Sequence, residues 1–206
     1  VPDLEIGRLV ETAPEITTTI ATFIGQNGGV DLSALDTVTG HKALVTGYDF
    51  LQDAADAVKS ELDAGIGSGS GRVSDALITP ATVSPAVTES YPTGPWTATN
   101  LGSALFGSRH DVIFLAGHFS ANSALAADFA TSLLTTDLAA STTDFTNSIV
   151  FSAGCHSGYN LVDGDAISGV TLPLDWAQAF ARKQATLIAG TGYQYGDTDF
   201  LEYSER

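Results

Sequence analysis

The sequence predicts an α/β protein in which a mostly parallel sheet lies between two layers of helices, a three-layer α/β/α sandwich. Two observations lead to this prediction. Short apolar runs of strand length alternate along the chain with segments of helical period. The clearest runs, at 111–118 and 148–155, are apolar on both faces, as strands are when helices cover both sides of a sheet. No repeat or domain boundary is apparent, so residues 1–206 are expected to form one domain.

The first half of the chain supplies alternating strands and helices. Strands are predicted at 4–10, 42–50 and 73–80, and helices at 14–29 and 51–65. The second helix presents one apolar face and ends at a glycine, Gly65, as helices often do. The four prolines within 80–97 indicate an irregular surface loop.

The second half has the stronger pattern. A short helix is predicted at 99–107 and a longer one at 172–183, where a proline suits the first turn. Leu174, Ala177, Phe180 and Ala181 form the expected apolar face of that longer helix. A further strand begins at 184 and runs into a loop rich in glycine and tyrosine. Residues 124–140 fit neither pattern clearly.

Composition excludes several classes of function. Eight basic and 24 acidic residues give a formal charge of −16, which argues against non-specific nucleic-acid binding. No apolar run is long enough to span a bilayer. The single cysteine excludes an internal disulfide. Abundant Thr, Ser and Gly, few lysines and no methionine favour a secreted or cell-envelope protein.

His118 and Cys155 each follow a strongly apolar strand. Ligands of open α/β sheets bind beyond the carboxyl ends of the strands, so both side chains are expected at one edge if the strands are neighbours. An imidazole beside a thiol can hold a thiolate or take the thiol proton during attack. Backbone N–H groups nearby could stabilise an oxyanion. Candidate positions for these backbone groups are Gly117, Phe119 and Gly154, together with Cys155 itself.

The two segments VIFLAGH and IVFSAGC resemble those that precede the catalytic His and Cys of caspase-like cysteine peptidases, a group that includes caspases, legumains, clostripain and gingipains. Gingipain-like peptidases are the most similar members, through DLEIGRLVETAPEI, FSAGCHSGYN and LIAGTGYQYGDTDF. The resemblance implies a caspase-like fold and a cysteine endopeptidase with His118 as base and Cys155 as nucleophile. It implies a peptide or protein substrate and no required cofactor. Cleavage after Arg or Lys is expected from the acidic loop that follows the last strand, and self-processing from Arg206.

The chain departs from this family in two ways. Phe119 stands where the family has glycine after the catalytic His, and its side chain could narrow the cleft. The chain also lacks an earlier strand segment that gingipain-like domains have, so a second chain could supply the rest of the catalytic domain. The alternative hypothesis follows from the first departure: a catalytically silent caspase-like module for binding or assembly, with Phe119 blocking the cleft.

Several other residues are candidates for supporting roles. Asp197 and Asp199, with Tyr193, lie in the loop after the last strand and could bind a basic substrate side chain. Asp163 and Asp165 have a spacing compatible with structural calcium, although an acidic turn is the simpler interpretation. His156 is interpreted as a surface or supporting residue.

Overall fold

The computed structural model describes residues 8–25, 42–65, 74–79, 94–165, 167 and 174–194. The strands are β1 Ala43–Tyr48, β2 Asp75–Thr79, β3 Val112–Leu115, β4 Ser123–Leu125, β5 Ser132–Leu134, β6 Ile149–Ser152 and β7 Thr186–Ala189. The helices are α1 Ala13–Gly25, α2 Gln52–Gly65, α3 Ala98–Gly107, α4 Thr135–Ala140 and α5 Trp176–Arg182.

Five strands form the central sheet in the order β2-β1-β3-β6-β7, and every neighbouring pair is parallel. Strands β4 and β5 form a separate antiparallel hairpin. The chain moves from β1 outward to β2 and then returns to β3 on the other side of β1. The strand order therefore reverses between β1 and β3, which is where ligand sites of open α/β sheets form.

Helices cover the two faces of the sheet, as the sequence predicts. The larger core lies on the face of α3, α4 and α5, and includes Leu105, Leu138, Trp176 and Phe180. The smaller core lies on the face of α2 and is built around Val45, Ala55, Ile78 and Phe114. The protein is thus an α/β three-layer sandwich, because right-handed crossovers to either side of β1 place their helices on opposite faces.

The helix at 172–183 is predicted too long and with the wrong apolar face. Helix α5 begins at Trp176, because the carboxylate of Asp175 caps it by accepting the backbone N–H of Gln178. Trp176, Ala179 and Phe180 are buried, whereas Ala177 and Ala181 are only partly buried. A buried tryptophan therefore sets the rotation of this helix.

Two other segments differ from the sequence analysis in detail. The ambiguous segment 124–140 forms β5, α4 and most of β4. Residues 8–10 of the strand predicted at 4–10 are not in a strand, and the rest of it lies outside the described residues. Among the described helices, none is long and apolar enough to cross a membrane.

Candidate active site

His118 and Cys155 each follow the carboxyl end of a parallel strand, and the two strands are neighbours. Strands β3 and β6 are neighbours, and their register pairs Leu115 with Ser152. Each of the two residues lies three positions beyond that pair. Adjacent strands are about 4.8 Å apart, so the imidazole and the thiol start from the same level of neighbouring strands.

Asp49 contacts the imidazole of His118. It lies directly after β1, the strand on the other side of β3, and its Oδ2 is 3.1 Å from His118 Nε2. A carboxylate only accepts hydrogen bonds, so the proton of this contact belongs to Nε2. Nδ1 is then the nitrogen left to exchange a proton with a neighbouring group.

Asp49 has a left-handed backbone conformation, which Asp adopts more readily than most non-glycine residues. Its φ is 57°, in the left-handed region that non-glycine residues seldom adopt. It opens a short 3-10 turn, Asp49–Leu51, that leads into α2. Conformations of this kind concentrate where the surrounding structure holds a functional group in place.

Tyr48 fixes the backbone that carries His118. Its hydroxyl accepts the His118 N–H at 3.1 Å and donates to the carbonyl of Leu125 at 2.5 Å. Burial raises the pKa of Tyr48 to about 12, so the hydroxyl keeps the proton that it donates. Gly117 makes room for this ring, because a Cβ at that position would lie 2.5 Å from Tyr48 Cε1.

The sulfur of Cys155 lies against the backbone of Gln194, in the loop after β7. The N–H of Gln194 donates to Sγ at 3.4 Å, and the thiol in turn reaches the Gln194 carbonyl at 3.7 Å. The first contact strengthens when the sulfur is a thiolate, and the second requires a thiol. The backbone of Gln194 can therefore form a hydrogen bond with the sulfur both as a thiol and as a thiolate.

Hydrogen bonds within the turn that carries Cys155, and others to the loop after β7, fix the conformation of that turn. The buried hydroxyl of Ser157 donates to the Gly154 carbonyl at 2.7 Å. The backbone N–H of His156 donates to Gly192, and that of Gly158 donates to Gly190, both at 2.8 Å. The turn and the loop after β7 therefore form one bonded unit.

Two backbone N–H groups near the turn of Cys155, those of Phe119 and Cys155, make no hydrogen bond within the described residues. Phe119 forms a bridge with Ala124 in which the hydrogen bonds run from Leu125 to His118 and from Ser120 to Ser123. In such a pair the Phe119 N–H points away from Ala124. Within the described part of the chain, neither this N–H nor that of Cys155 donates to another residue. The N–H of Gly154 already donates to Ser152 Oγ at 3.2 Å.

The side chain of Phe119 packs beneath the turn of Cys155. A Cβ on Gly154 would lie 2.3 Å from two atoms of the Phe119 ring, so that ring occupies the space that glycine leaves. On its other side the ring packs against Trp176, with centroids 6.0 Å apart. Phe119 is therefore engaged with the core and supports the turn.

His156 and Tyr193 pair at the β7 end of the site. The imidazole Nδ1 of His156 contacts the carbonyl of Thr191 at 3.1 Å, and a carbonyl only accepts, so Nδ1 carries a proton there. The ring of Tyr193 meets the imidazole edge-on at 4.6 Å and is 73 % exposed. Asp197 and Asp199, predicted to bind substrate with Tyr193, lie outside the described residues.

Asp163 and Asp165 form a short 3-10 turn away from the dyad. The carboxylate of Asp163 accepts the side-chain N–H of Gln178 at 3.1 Å and lies 3.8 Å from Arg182. No group of three or more metal-ligating side chains occurs among the described residues. Structural calcium at these two residues stays a prediction.

Three residues of the site are missed by the sequence analysis: Asp49, Tyr48 and Gln194. A signal for Asp49 is present, since it follows an apolar strand in the same way as His118 and Cys155 do. Tyr48 and Gln194 act through a buried hydroxyl and a backbone amide, for which residue type gives no signal.

Comparison with known proteins adds no assignment. The chain matches no protein-family model, and no curated protein or solved structure matches it.

Proposed function

We propose that this protein is a cysteine endopeptidase of the caspase-like type, with Cys155 as nucleophile, His118 as proton carrier and Asp49 as the residue that orients His118. The observation that supports the proposal is the register of β3 and β6: the only thiol of the chain and an imidazole that contacts a carboxylate follow neighbouring strands at the same level. The resemblance of the sequence to gingipain-like peptidases points to the same chemistry.

The reaction proceeds through a thioester. The thiol of Cys155 gives its proton to Nδ1 of His118, and the sulfur attacks the carbonyl carbon of the peptide bond, while N–H groups of Phe119 and Cys155 hold the oxyanion. The carbon–nitrogen bond then breaks, and Nδ1 of His118 gives its proton to the departing amine. In the second half, Nδ1 takes a proton from water, and the water oxygen attacks the thioester carbonyl. The carbon–sulfur bond then breaks, Nδ1 returns the proton to the sulfur, and the acid is released.

Basic residues before the cleaved bond are the proposed specificity. A formal charge of −16 attracts cationic peptides to the protein. Tyr193 stands exposed on the Cys155 side of the site, and the carboxylates of Asp197 and Asp199 follow it in the sequence. Carboxylates pair well with arginine and lysine side chains, which is why the proposal assigns these two residues to substrate binding.

The test compares the wild type with Cys155→Ala and His118→Ala on a library of peptides, with cleavage sites read by mass spectrometry. The wild type is expected to cut after Arg or Lys, and Cys155→Ala to be inactive. His118→Ala is expected to lose about 10²- to 10⁴-fold in kcat/KM, the usual contribution of a general acid–base group.

Alkylation supplies an independent measurement, because Cys155 is the only thiol. Iodoacetamide is expected to modify the native protein at neutral pH faster than the urea-unfolded chain, in which the site is dispersed. Cleavage that survives in Cys155→Ala would refute the nucleophile. A wild type that cuts no peptide and whose thiol resists alkylation would favour the silent binding module.

A further inference from the structure

The two halves of a bound peptide must lie on different sides of the dyad. During cleavage the carbonyl carbon is bonded to Cys155, and the departing nitrogen receives its proton from His118. The sheet order places Cys155 toward β7 and His118 toward β1. The residue that follows the cleaved bond therefore lies on the β1 side of Cys155, toward His118. This assignment of sides rests on the proposed function.

Two phenylalanine rings border His118 on that side. Phe50 follows Asp49 in the turn after β1, and its ring centroid is 5.8 Å from the imidazole. Phe129 comes from the loop between β4 and β5, and its centroid is 5.9 Å from the imidazole. Phe50 is partly buried against the smaller core, whereas Phe129 is 58 % exposed. Each ring therefore places apolar surface against the imidazole that would protonate the leaving amine.

The exposed ring of Phe129 is held in a rigid loop. Its φ is 53°, a conformation that is costly for a bulky residue and persists only where neighbouring contacts impose it. The carboxylate of Asp128 imposes part of it by accepting the N–H groups of Ala130 and Thr131 at 3.0 and 2.9 Å. The ring also meets Tyr48 edge-on at 5.5 Å.

We propose that Phe129 and Phe50 form the binding subsite for the residue that follows the cleaved bond, and that this subsite selects an apolar side chain, aromatic above all. The rings present a fixed apolar surface at the place where that side chain must lie. Aromatic pairs favour edge-to-face contact, and a bound aromatic side chain would complete such a pair with Phe129.

The first test uses the wild type and peptides that are identical up to the cleaved bond. The following residue is Phe, Leu, Gly or Lys. We expect kcat/KM to be highest for Phe and roughly 3- to 10-fold higher for Phe than for Gly, the range that one aromatic contact supplies. Equal values for Phe and Gly, or a preference for Lys, would overturn the inference while leaving the Cys155 mechanism intact.

The variant Phe129→Ala should abolish the preference, so that its ratio of kcat/KM for the Phe and Gly peptides approaches one. The ratio is the readout because a general loss of activity cancels from it. Phe23→Ala is the matched control: Phe23 is 55 % exposed and lies on α1, away from the site. A preference that persists in Phe129→Ala, or disappears equally in Phe23→Ala, would refute the role of Phe129.

A second measurement needs no variant. An amine that binds the same subsite attacks the thioester in place of water, giving a new amide bond and the free thiol. Phenylalanine amide is expected to divert more of the thioester to amide product than glycine amide at equal concentration. Equal diversion would contradict an aromatic subsite, and the absence of any Cys155-dependent cleavage would remove the proposed function and this inference together.

Discussion

Asp49 controls which nitrogen of His118 is available for chemistry. Its carboxylate engages Nε2 at 3.1 Å, and both side chains are partly exposed, at 46 % and 40 %. Asp49→Asn preserves the shape but offers an amide that can also donate, which permits the wrong tautomer. We expect kcat/KM to fall at least about tenfold, without reaching the 10²- to 10⁴-fold loss of removing the base.

The measurement is steady-state cleavage of a peptide with arginine before the cleaved bond. Glu61→Gln is the control, since it removes one negative charge from the exposed surface of α2 far along the helix from the site. If both variants lost the same activity, the effect would come from total charge rather than from the contact with His118.

Tyr48 makes a different kind of contribution from Asp49. Its hydroxyl forms hydrogen bonds with the backbone of His118 and Leu125, whereas Asp49 contacts the His118 side chain. Tyr48→Phe keeps the ring and leaves the His118 N–H and the Leu125 carbonyl without this partner. We expect the free energy of unfolding to fall by about 1–3 kcal/mol, together with a slower alkylation of Cys155 and a lower kcat.

Urea unfolding and iodoacetamide kinetics check this expectation. Tyr159→Phe serves as the comparison, since Tyr159 is 43 % exposed and should change neither quantity. An unaltered unfolding free energy in Tyr48→Phe would show that water replaces the hydroxyl at no cost.

At the scale of whole elements, Glu15 links helix α1 to helix α5. The carboxylate accepts the N–H and hydroxyl of Thr12, which caps α1, and it pairs with Arg182 at 2.6 Å. The hydrogen bonds from Thr12, with a smaller contribution from Arg182, lower the pKa of Glu15 from 4.5 to about 2. Glu15 thus acts both as a helix cap and as a link between two helices.

This shift gives a pH dependence with a defined sign. Because the folded pKa is the lower one, the stabilisation is fully present above pH 4.5 and is lost as the pH falls from 4.5 toward 2. We expect Glu15→Gln to be less stable than the wild type by about 1 kcal/mol or less at pH 6, since the pair is near the surface. The difference should vanish near pH 2, as measured by thermal unfolding at both values.

The elements with buried strands are those that the sequence predicts best. The run VIFL forms a strand inside the sheet, as its apolar residues on both faces predict, whereas the similar run IVFS of β6 leaves Phe151 41 % exposed. Helix α5 shows the limit of the method. Its rotation depends on Trp176 and on the cap at Asp175, and these choices are made by packing against the sheet.

The candidate site also contains some residues that the sequence predicts and some contacts that it does not. His118 and Cys155 can be found because each follows an apolar strand. The contact of Asp49 with His118 cannot be predicted from the sequence. It joins residues 69 positions apart, and it exists because β1 and β3 are neighbours in the sheet. Nor can the position of Phe119 beneath Gly154 be predicted, because the sequence shows a bulky residue without showing its direction.

The whole molecule carries a strong negative charge, which predicts a salt-dependent rate. A formal charge of −16 should speed the approach of cationic peptides at low ionic strength. Raising the salt from about 0.01 M to about 0.15 M shortens the screening length from about 30 Å to about 8 Å. We expect kcat/KM for a lysine-rich peptide to fall over this range.

A peptide with the same cleavage site but glutamine in place of the flanking lysines provides the comparison, and its kcat/KM should change little. If both peptides responded equally, salt would be acting on the fold or on the chemistry rather than on the encounter.

The contacts that complete the site also set when it can form during synthesis. The contact between Tyr48 and His118 can form only when 70 more residues have been made after Tyr48. The contact between Cys155 and Gln194 can form only when 39 more have been made after Cys155. At about 5–20 residues per second, the second interval alone lasts roughly 2–8 seconds. Cys155 is therefore synthesised seconds before the loop that contacts its sulfur, and the site of the growing chain is incomplete during that time.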